Sequence, residues 1–392
     1  MRSCDPTGYP SAAFGGTSLK IREAASPSPP RYITRSNVMS SQTGEKLNIS
    51  VFGESHGDAV GVVINGLPAG FAIDFDELYA FMKRRAPGSR LSTPRKEEDK
   101  PKFLSGIFNG VTTGFPLCAV IENTNTRSGD YKFASTPRPS HADFTAAIKY
   151  GGFADMRGSG HFSGRLTAPI CIAGAIAKQI LAKKSIFVGA HLKSIGKAYD
   201  ESFPMMPTHE LFYEVAKKEL AVINDEALEN MILEIESARA DGDSVGGVIE
   251  CAVIGVPAGL GDPMFDGIEN RLAKNLFGVP AVKGVEFGLG FESAKIRGSQ
   301  NNDEFIFDGD SVVTKTNNSG GILGGITNGM PIVFRAAMKP TPSISREQTT
   351  VDLETREAVS LEIKGRHDPC VAVRAVPVIE AVAALTILDI VL

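Results

Sequence analysis

The 392-residue chain has no excess of basic residues: 41 Lys and Arg stand against 45 Asp and Glu, for a formal net charge of -4. Dedicated nucleic-acid binding and adhesion to anionic membranes, which need a basic surface, are therefore disfavoured. Apolar runs able to cross a bilayer are also wanting. Ala168 to Ala177 is too short, and Val371 to Leu392 is interrupted by Arg374, Glu380 and Asp389. The five cysteines, Cys4, Cys118, Cys171, Cys251 and Cys370, are odd in number and widely spread. That excludes zinc-type and redox-dithiol pairs, leaves no metal site in view, and points to a reducing, cytoplasmic setting. There is no P-loop, and the glycine-rich segment Arg157 to Arg165 has the spacing Gly-x-Gly-x-x-x-Gly, which is not the dinucleotide fingerprint. What is present resembles an ordinary soluble globular protein, 42% hydrophobic and 22% charged, with 41 glycines that imply many tight turns and close backbone approaches.

Residues 1–42 form a Ser-, Pro- and Gly-rich arm with only Asp5 and Glu23 as acids, and it reads as a disordered N-terminal extension. An organelle transit peptide and a true start at Met39 are the other readings of this arm. Residues 43–392 read as one domain that contains an internal echo. Gly57-Asp58-Ala59-Val60-Gly61-Val62-Val63-Ile64 leads to Gly66-Leu67-Pro68-Ala69-Gly70, and Gly242-Asp243-Ser244-Val245-Gly246-Gly247-Val248-Ile249 leads to Gly255-Val256-Pro257-Ala258-Gly259. Each copy enters a helix through a capping-box signature, Asp74 with Glu77 and Asp266 with Glu269. Periodicity predicts helices at 75–85, 142–150, 168–184, 226–238, 267–277 and 377–391, and strands at Gly247 to Ile254 and Pro331 to Met338. The 168–184 and 377–391 helices are apolar on nearly all faces, so helices sandwiched between sheets are expected.

Several loops combine glycine or proline with polar side chains. In Gly53-Glu54-Ser55-His56-Gly57 a titratable imidazole lies between glycines just after an apolar run, where the backbone can approach a ligand. In Arg138-Pro139-Ser140-His141-Ala142-Asp143, Ser140 is a good N-cap, which places His141 in a helix's first turn. The loop Arg157 to Arg165 offers backbone N–H groups and hydroxyls suited to phosphate. Arg85 and Arg90 flank a Pro-Gly break and suit an anionic small molecule. Towards the C-terminus, Gly320 to Gly325, Lys339-Pro340-Thr341-Pro342-Ser343 and Gly365 to Pro369 follow, with Asp368 a candidate base or orienting acid.

From about Gly44 to its end the chain resembles the chorismate synthase family. The matching motifs are GESHG at 53–57, RPSHAD at 138–143, GDSVGG at 242–247, GVPAGLG at 255–261, RGSQ at 297–300, GGILGGI at 320–326, KPT at 339–341 and GRHDPCV at 365–371. The resemblance implies an α/β (α+β) fold, a β-α-β sandwich with a central helical layer between antiparallel sheets and an internal pseudo-repeat, assembled as a homotetramer. It implies a phosphate lyase of the shikimate pathway of aromatic amino-acid biosynthesis. The reaction would be the anti-1,4-elimination of phosphate from 5-enolpyruvylshikimate 3-phosphate to give chorismate, with reduced FMN (FMNH2) transiently supplying an electron.

On the same resemblance, His56 protonates the departing phosphate, His141 stabilises the reduced flavin at its N1 side, and Asp368 assists at flavin N5, with Ser55 and Ser163 as relays. FMN contacts come from His161, Phe162, Ser163, Pro280, Ala281, Gly324, Lys339 to Ser343 (including Pro340, Thr341 and Pro342) and Arg366. Arg85 and Arg90 bind substrate or, in some members, NADPH. The chain departs from the family's usual RGGGRSSARET run, where His161 and Leu166 replace an arginine and a glutamate. An external flavin reductase is expected to supply the reduced FMN. The alternatives are a bifunctional synthase with its own NADPH-dependent reductase activity, or a non-catalytic flavin-binding relative. Glu54 has no assigned role.

Overall fold

A computed structural model describes residues 41–88, 91, 99–124, 135–363 and 367–392. Arg90 and Arg366, and all of the expected N-terminal extension but Ser41 and Gln42, lie outside the described residues. Gln42 is already paired with Ser50 in the first sheet.

The helices are α1 (Phe75–Arg85), α2 (Asp143–Tyr150), α3 (Thr167–Ala182), α4 (His209–Lys217), α5 (Asp225–Ala240), α6 (Ile268–Leu276), α7 (Gly298–Asn301) and α8 (Ala372–Val391). Two five-stranded antiparallel sheets accompany them. The N-terminal sheet runs Gln42–Thr43, Asn48–Gly53, Ala59–Asn65, Leu117–Glu122, Lys102–Ser105 across its width, and the C-terminal sheet runs Val282–Phe287, Ile332–Met338, Gly247–Ile254, Phe187–Ile195, Ala198–Tyr199. Alternation sets one inward face per strand. Leu117, Ala119 and Ile121 are buried on one strand and Ile332, Phe334, Ala336 and Met338 on another, with polar or half-exposed residues between them.

The two apolar helices lie inside. Thirteen of the 16 residues of α3 and 16 of the 20 of α8 are buried, because α3 packs on the N-terminal sheet, α8 on the C-terminal sheet, and each on the other. The helical stretch Gly164–Ala182 is long and apolar enough to span a bilayer, contrary to the shorter run read from sequence, but 83% of it is buried inside the protein. It is a core helix. Helix α8 begins at Ala372, five residues before the expected start, and carries Pro377 within it. Burial on all sides holds the helix together across the one hydrogen bond that proline removes.

Two charged groups in these apolar surroundings act as clasps. Glu380 of α8, 1% exposed, receives Arg84 of α1 at 2.5 Å and Lys178 of α3, tying three helices together. Near the end of α8, the Asp389 carboxylate accepts the backbone N–H groups of Glu45, Lys46 and Leu47 at 2.7 to 3.1 Å, joining the last helix to the first hairpin.

Candidate active site

Loops from both sheets and the start of α8 enclose a cavity of about 1050 Å³. Its walls include Ser55 of the GESHG loop, His141 of RPSHAD, His161, Phe162 and Ser163 of the glycine loop, and Asp368. Arg85, Pro280, Ala281, Lys339, Thr341, Pro342 and Ser343 line it too. Segments more than 300 residues apart thus meet at one place. Three of the expected residues that are described do not line it: Gly324 is exposed at the tip of the hairpin Ile322–Thr327, Pro340 packs on Gly246, and His56 lies behind Gly158.

The GESHG loop follows the strand Asn48–Gly53, as its apolar run predicts, and turns on Gly53 at φ +96°. The glycine loop is docked on it. Ser55 N donates to the Gly160 carbonyl at 3.1 Å, and His161 Nδ1 donates to the Gly53 carbonyl at 2.8 Å, so Nε2 of His161 accepts the Ser41 hydroxyl at 2.7 Å. Both ring nitrogens of His161 are therefore engaged within the chain. Gly158, at φ +59°, lies directly against His56: a Cβ there would fall 1.8 Å from Nδ1 of the ring. Ser55 consequently faces the cavity, while His56, 7% exposed, is packed behind Gly158 and is absent from the cavity wall. The side-chain amide of Asn123 donates to the carbonyls of Glu54 at 3.0 Å and Gly57 at 2.8 Å, which gives the Glu54 backbone a role in holding the loop closed.

RPSHAD corrects the capping expectation. Helix α2 begins only at Asp143, with no side-chain cap, and Ser140 sits at φ +57°, so His141 precedes the helix. The reason is Arg138. Its buried guanidinium grips the Asp143 carboxylate through Nε and Nη2, each at 2.7 Å, and turns the intervening residues away from helical geometry. His141 Nδ1 lies 2.7 Å from Asp143 Oδ1. Burial would raise the Asp143 pKa, but the bonds from Arg138 and His141 prevail and hold the carboxyl well below the usual carboxylate range.

Arg85 is buried and committed to Asp99, to Thr167 Oγ1 at 3.1 Å and to the Gly164 carbonyl at 2.9 Å. It props the glycine loop from below. Asp99 also receives Arg165, whose Nε donates to Asn123 Oδ1 at 3.0 Å, so the loops share one buried network. Burial of Asp99 raises its pKa, yet the two arginines outweigh that and lower it. Across the cavity Asp368 accepts Arg374 Nη1 at 2.7 Å. The GDSVGG segment steadies this side, with Ser244 Oγ donating to the Thr341 carbonyl at 2.7 Å and Val245 N to the Pro369 carbonyl at 2.8 Å. Sequence reasoning missed Asn123, Asp99 and Arg374 as site residues. For Arg374 a signal existed, since a lone arginine near the start of an otherwise apolar helix needs a partner. The expected cap at Asp266 is also absent: Gly267 is the N-cap of α6, and Asp266 pairs instead with Arg271 Nε at 2.7 Å.

Comparison with known proteins agrees with this geometry. The family model described as chorismate synthase matches residues 47–392. A chorismate synthase from Thermococcus kodakarensis is 49% identical over 348 residues, covering 88% of this chain and 96% of that protein. One from Dehalococcoides mccartyi is 47% identical over 357 residues, covering 90% and 97%. A solved structure, described as the crystal structure of chorismate synthase, superposes with a TM-score of 0.70 at 29% identity, covering 89% of this chain and 92% of that one. With its α+β fold, its motif loops gathered at one cavity and these matches over nearly its whole described length, the chain belongs to the chorismate synthase family.

Proposed function

We propose that the protein catalyses the reduced-FMN-dependent 1,4-elimination of phosphate from 5-enolpyruvylshikimate 3-phosphate, forming chorismate in the shikimate pathway. The observation that carries this reading is that Ser55, the His141–Asp143 pair and the Asp368–Arg374 pair all meet at one large, basic cavity. Its volume lies just above the range of ~300–1,000 Å³ usual for small-molecule sites, enough for a ring system and a small substrate together. The residues fit a flavin phosphate. Ile170, Val378 and Val382 supply an apolar wall, Phe162 an aromatic edge, and Lys339 a cation, while a Cβ at Gly164 would meet nothing within 4 Å.

When bound, reduced FMN supplies the electron that promotes C–O cleavage and recovers it as the hydrogen leaves. His56 holds the proton for the departing phosphate, and Ser55, which faces the cavity, hands it on. His141 would exchange a proton with the ring system held in the cavity, and Asp368, oriented by Arg374, would serve as the base on the opposite wall. The fold reading is a β-α-β sandwich whose two halves are related by the internal echo, in a homotetramer supplied by a separate flavin reductase. The test is anaerobic mixing of protein, chemically reduced FMN and substrate: release of chorismate and phosphate is expected, and their absence refutes the reading. Oxidised FMN with NADPH in place of reduced FMN distinguishes the bifunctional alternative. His56→Ala is expected to lower kcat on the order of 10²-fold or more, as for loss of a positioned acid.

A further inference from the structure

We infer that Asp143 is a positioning residue that holds His141 with its proton on Nδ1, leaving Nε2 as the nitrogen that exchanges protons with a cavity ligand. The inference rests on the reading of His141 as an acid–base group and specifies which atom acts.

Two groups compete for Nδ1. Asp143 Oδ1 is 2.7 Å away and Arg138 Nη2 is 3.1 Å away. A carboxylate only accepts and a guanidinium only donates, so a single ring nitrogen satisfies one of them at the other's expense. If Nδ1 accepted from Arg138, its lone pair would face the carboxylate at 2.7 Å, and the neutral ring's proton would sit on Nε2. If Nδ1–H donates to Asp143, the closer contact becomes a charge-assisted hydrogen bond. Arg138 loses little by this, because both oxygens of Asp143 already take its Nε and Nη2 at 2.7 Å, and Ser159 and Ser343 hydroxyls lie at 3.3 Å. The carboxylate cannot turn away either. Oδ2 also receives the Arg138 backbone N–H at 3.1 Å, so the two oxygens are pinned in one plane.

Asp143 is itself buried, 8% exposed, and does not line the cavity, whereas His141 does. Lys339 also comes close, its Nζ donating to the carbonyl of Ser140, the residue before His141, at 2.5 Å. The proton balance is simple. The imidazolium gives up its Nε2 proton to an acceptor in the cavity and keeps Nδ1–H on Asp143, and the reverse step restores it.

The chain has six histidines, so 15N-histidine labelling gives a tractable spectrum. Long-range 1H–15N correlation on the unliganded protein, with the His141 signal identified by its loss in His141→Gln, should show a neutral ring protonated at Nδ1 and pyridine-like at Nε2. In Asp143→Asn the amide N–H₂ can donate to Nδ1, so the tautomer should switch or mix. Turnover should fall about 10²- to 10⁴-fold with a shifted pH profile, as when a catalytic imidazole is held in the wrong tautomer. A wild-type neutral ring protonated at Nε2 overturns the inference, as does a tautomer that Asp143→Asn leaves unchanged. Should Asp143→Asn fail to fold because Arg138 is stranded, the wild-type spectrum alone decides. An Nδ1-protonated wild-type ring beside full activity in His141→Gln upholds the tautomer and refutes only the part given to His141 in the reaction.

Discussion

At position 158 a side chain has no room. The backbone is at φ +59°, and a Cβ would lie 1.8 Å from Nδ1 and 1.9 Å from Cε1 of His56. Glycine there lets the glycine loop close over the imidazole and brings Ser55 to the cavity. Gly158→Ala must either push His56 from its place or lift the loop. Turnover is expected to drop on the order of 10²-fold while the thermal midpoint moves by only a few degrees, because the strain sits in a surface-facing loop. Near-normal kcat in a folded Gly158→Ala protein would show that the placement of His56 does not matter. His161 illustrates the same scale from the other side: it spends both ring nitrogens on Gly53 and Ser41 and so fastens the glycine loop to the GESHG loop.

Among the elements, the crossing of α3 and α8 decides how closely the two sheets approach. Gly174 of α3 sits against Ala381 of α8, and a Cβ at 174 would be 2.2 Å from the Ala381 Cβ and 2.5 Å from its Cα. In a helix with free space, glycine to alanine adds about 0.5–1 kcal/mol of stability. Here the sign reverses. Overpacking a rigid backbone contact costs about 1–3 kcal/mol, so Gly174→Ala should lower the urea midpoint with an unchanged m-value. A variant more stable than wild type would mean that the helices separate without cost. Glu380 belongs to the same junction. Removing its charge strands Arg84 and Lys178 against the Phe81 ring, over which they lie at 5.5 and 4.9 Å.

For the whole molecule, buried ionic groups set the pH range of stability. Burial raises the Glu380 pKa, but Arg84 and Lys178 outweigh it and bring it down to about 2. A carboxylate depressed in the folded state contributes stability above its unfolded pKa of about 4.3, and that contribution is lost as pH falls towards 2. Asp99, Asp200 and Glu250 act in the same direction. His191 works at the other end. Fully buried, it is bonded through Nδ1 to Asp200 at 3.1 Å and through Nε2 to Glu250 at 3.0 Å, an arrangement that needs both ring protons. Burial lowers its pKa, but the two carboxylates prevail and raise it. Its contribution is complete below about pH 6.5 and is lost as pH rises through the folded value. Unfolding free energy measured from pH 3 to 9 should therefore be greatest between about pH 4.5 and 6.5, and His191→Gln should flatten the alkaline arm. A wild-type curve level from pH 6.5 to 9 would contradict a buried imidazolium.

The sequence by itself determined the local patterns. Helix α1 and the strand Gly247–Ile254 fall where periodicity places them, because the spacing of apolar residues and the Asp74 cap act within a few residues. The motif loops were visible for the same reason: glycine, proline and histidine constrain their own neighbourhood. Tertiary structure alone decided which loops meet. Asn123 bonds Gly57, 66 residues away, and Arg165, 42 away, and no local pattern marks an asparagine for that task. Side-chain pairing and burial also overrode helical preference, as at Ser140, where the grip of Arg138 on Asp143 five residues away displaced an otherwise good cap, and at Ala372, where burial started α8 five residues ahead of its proline. A chain encodes its periodicities over one or two turns, whereas a site assembled from both sheets depends on contacts that exist only once the helical layer has brought the two sheets together.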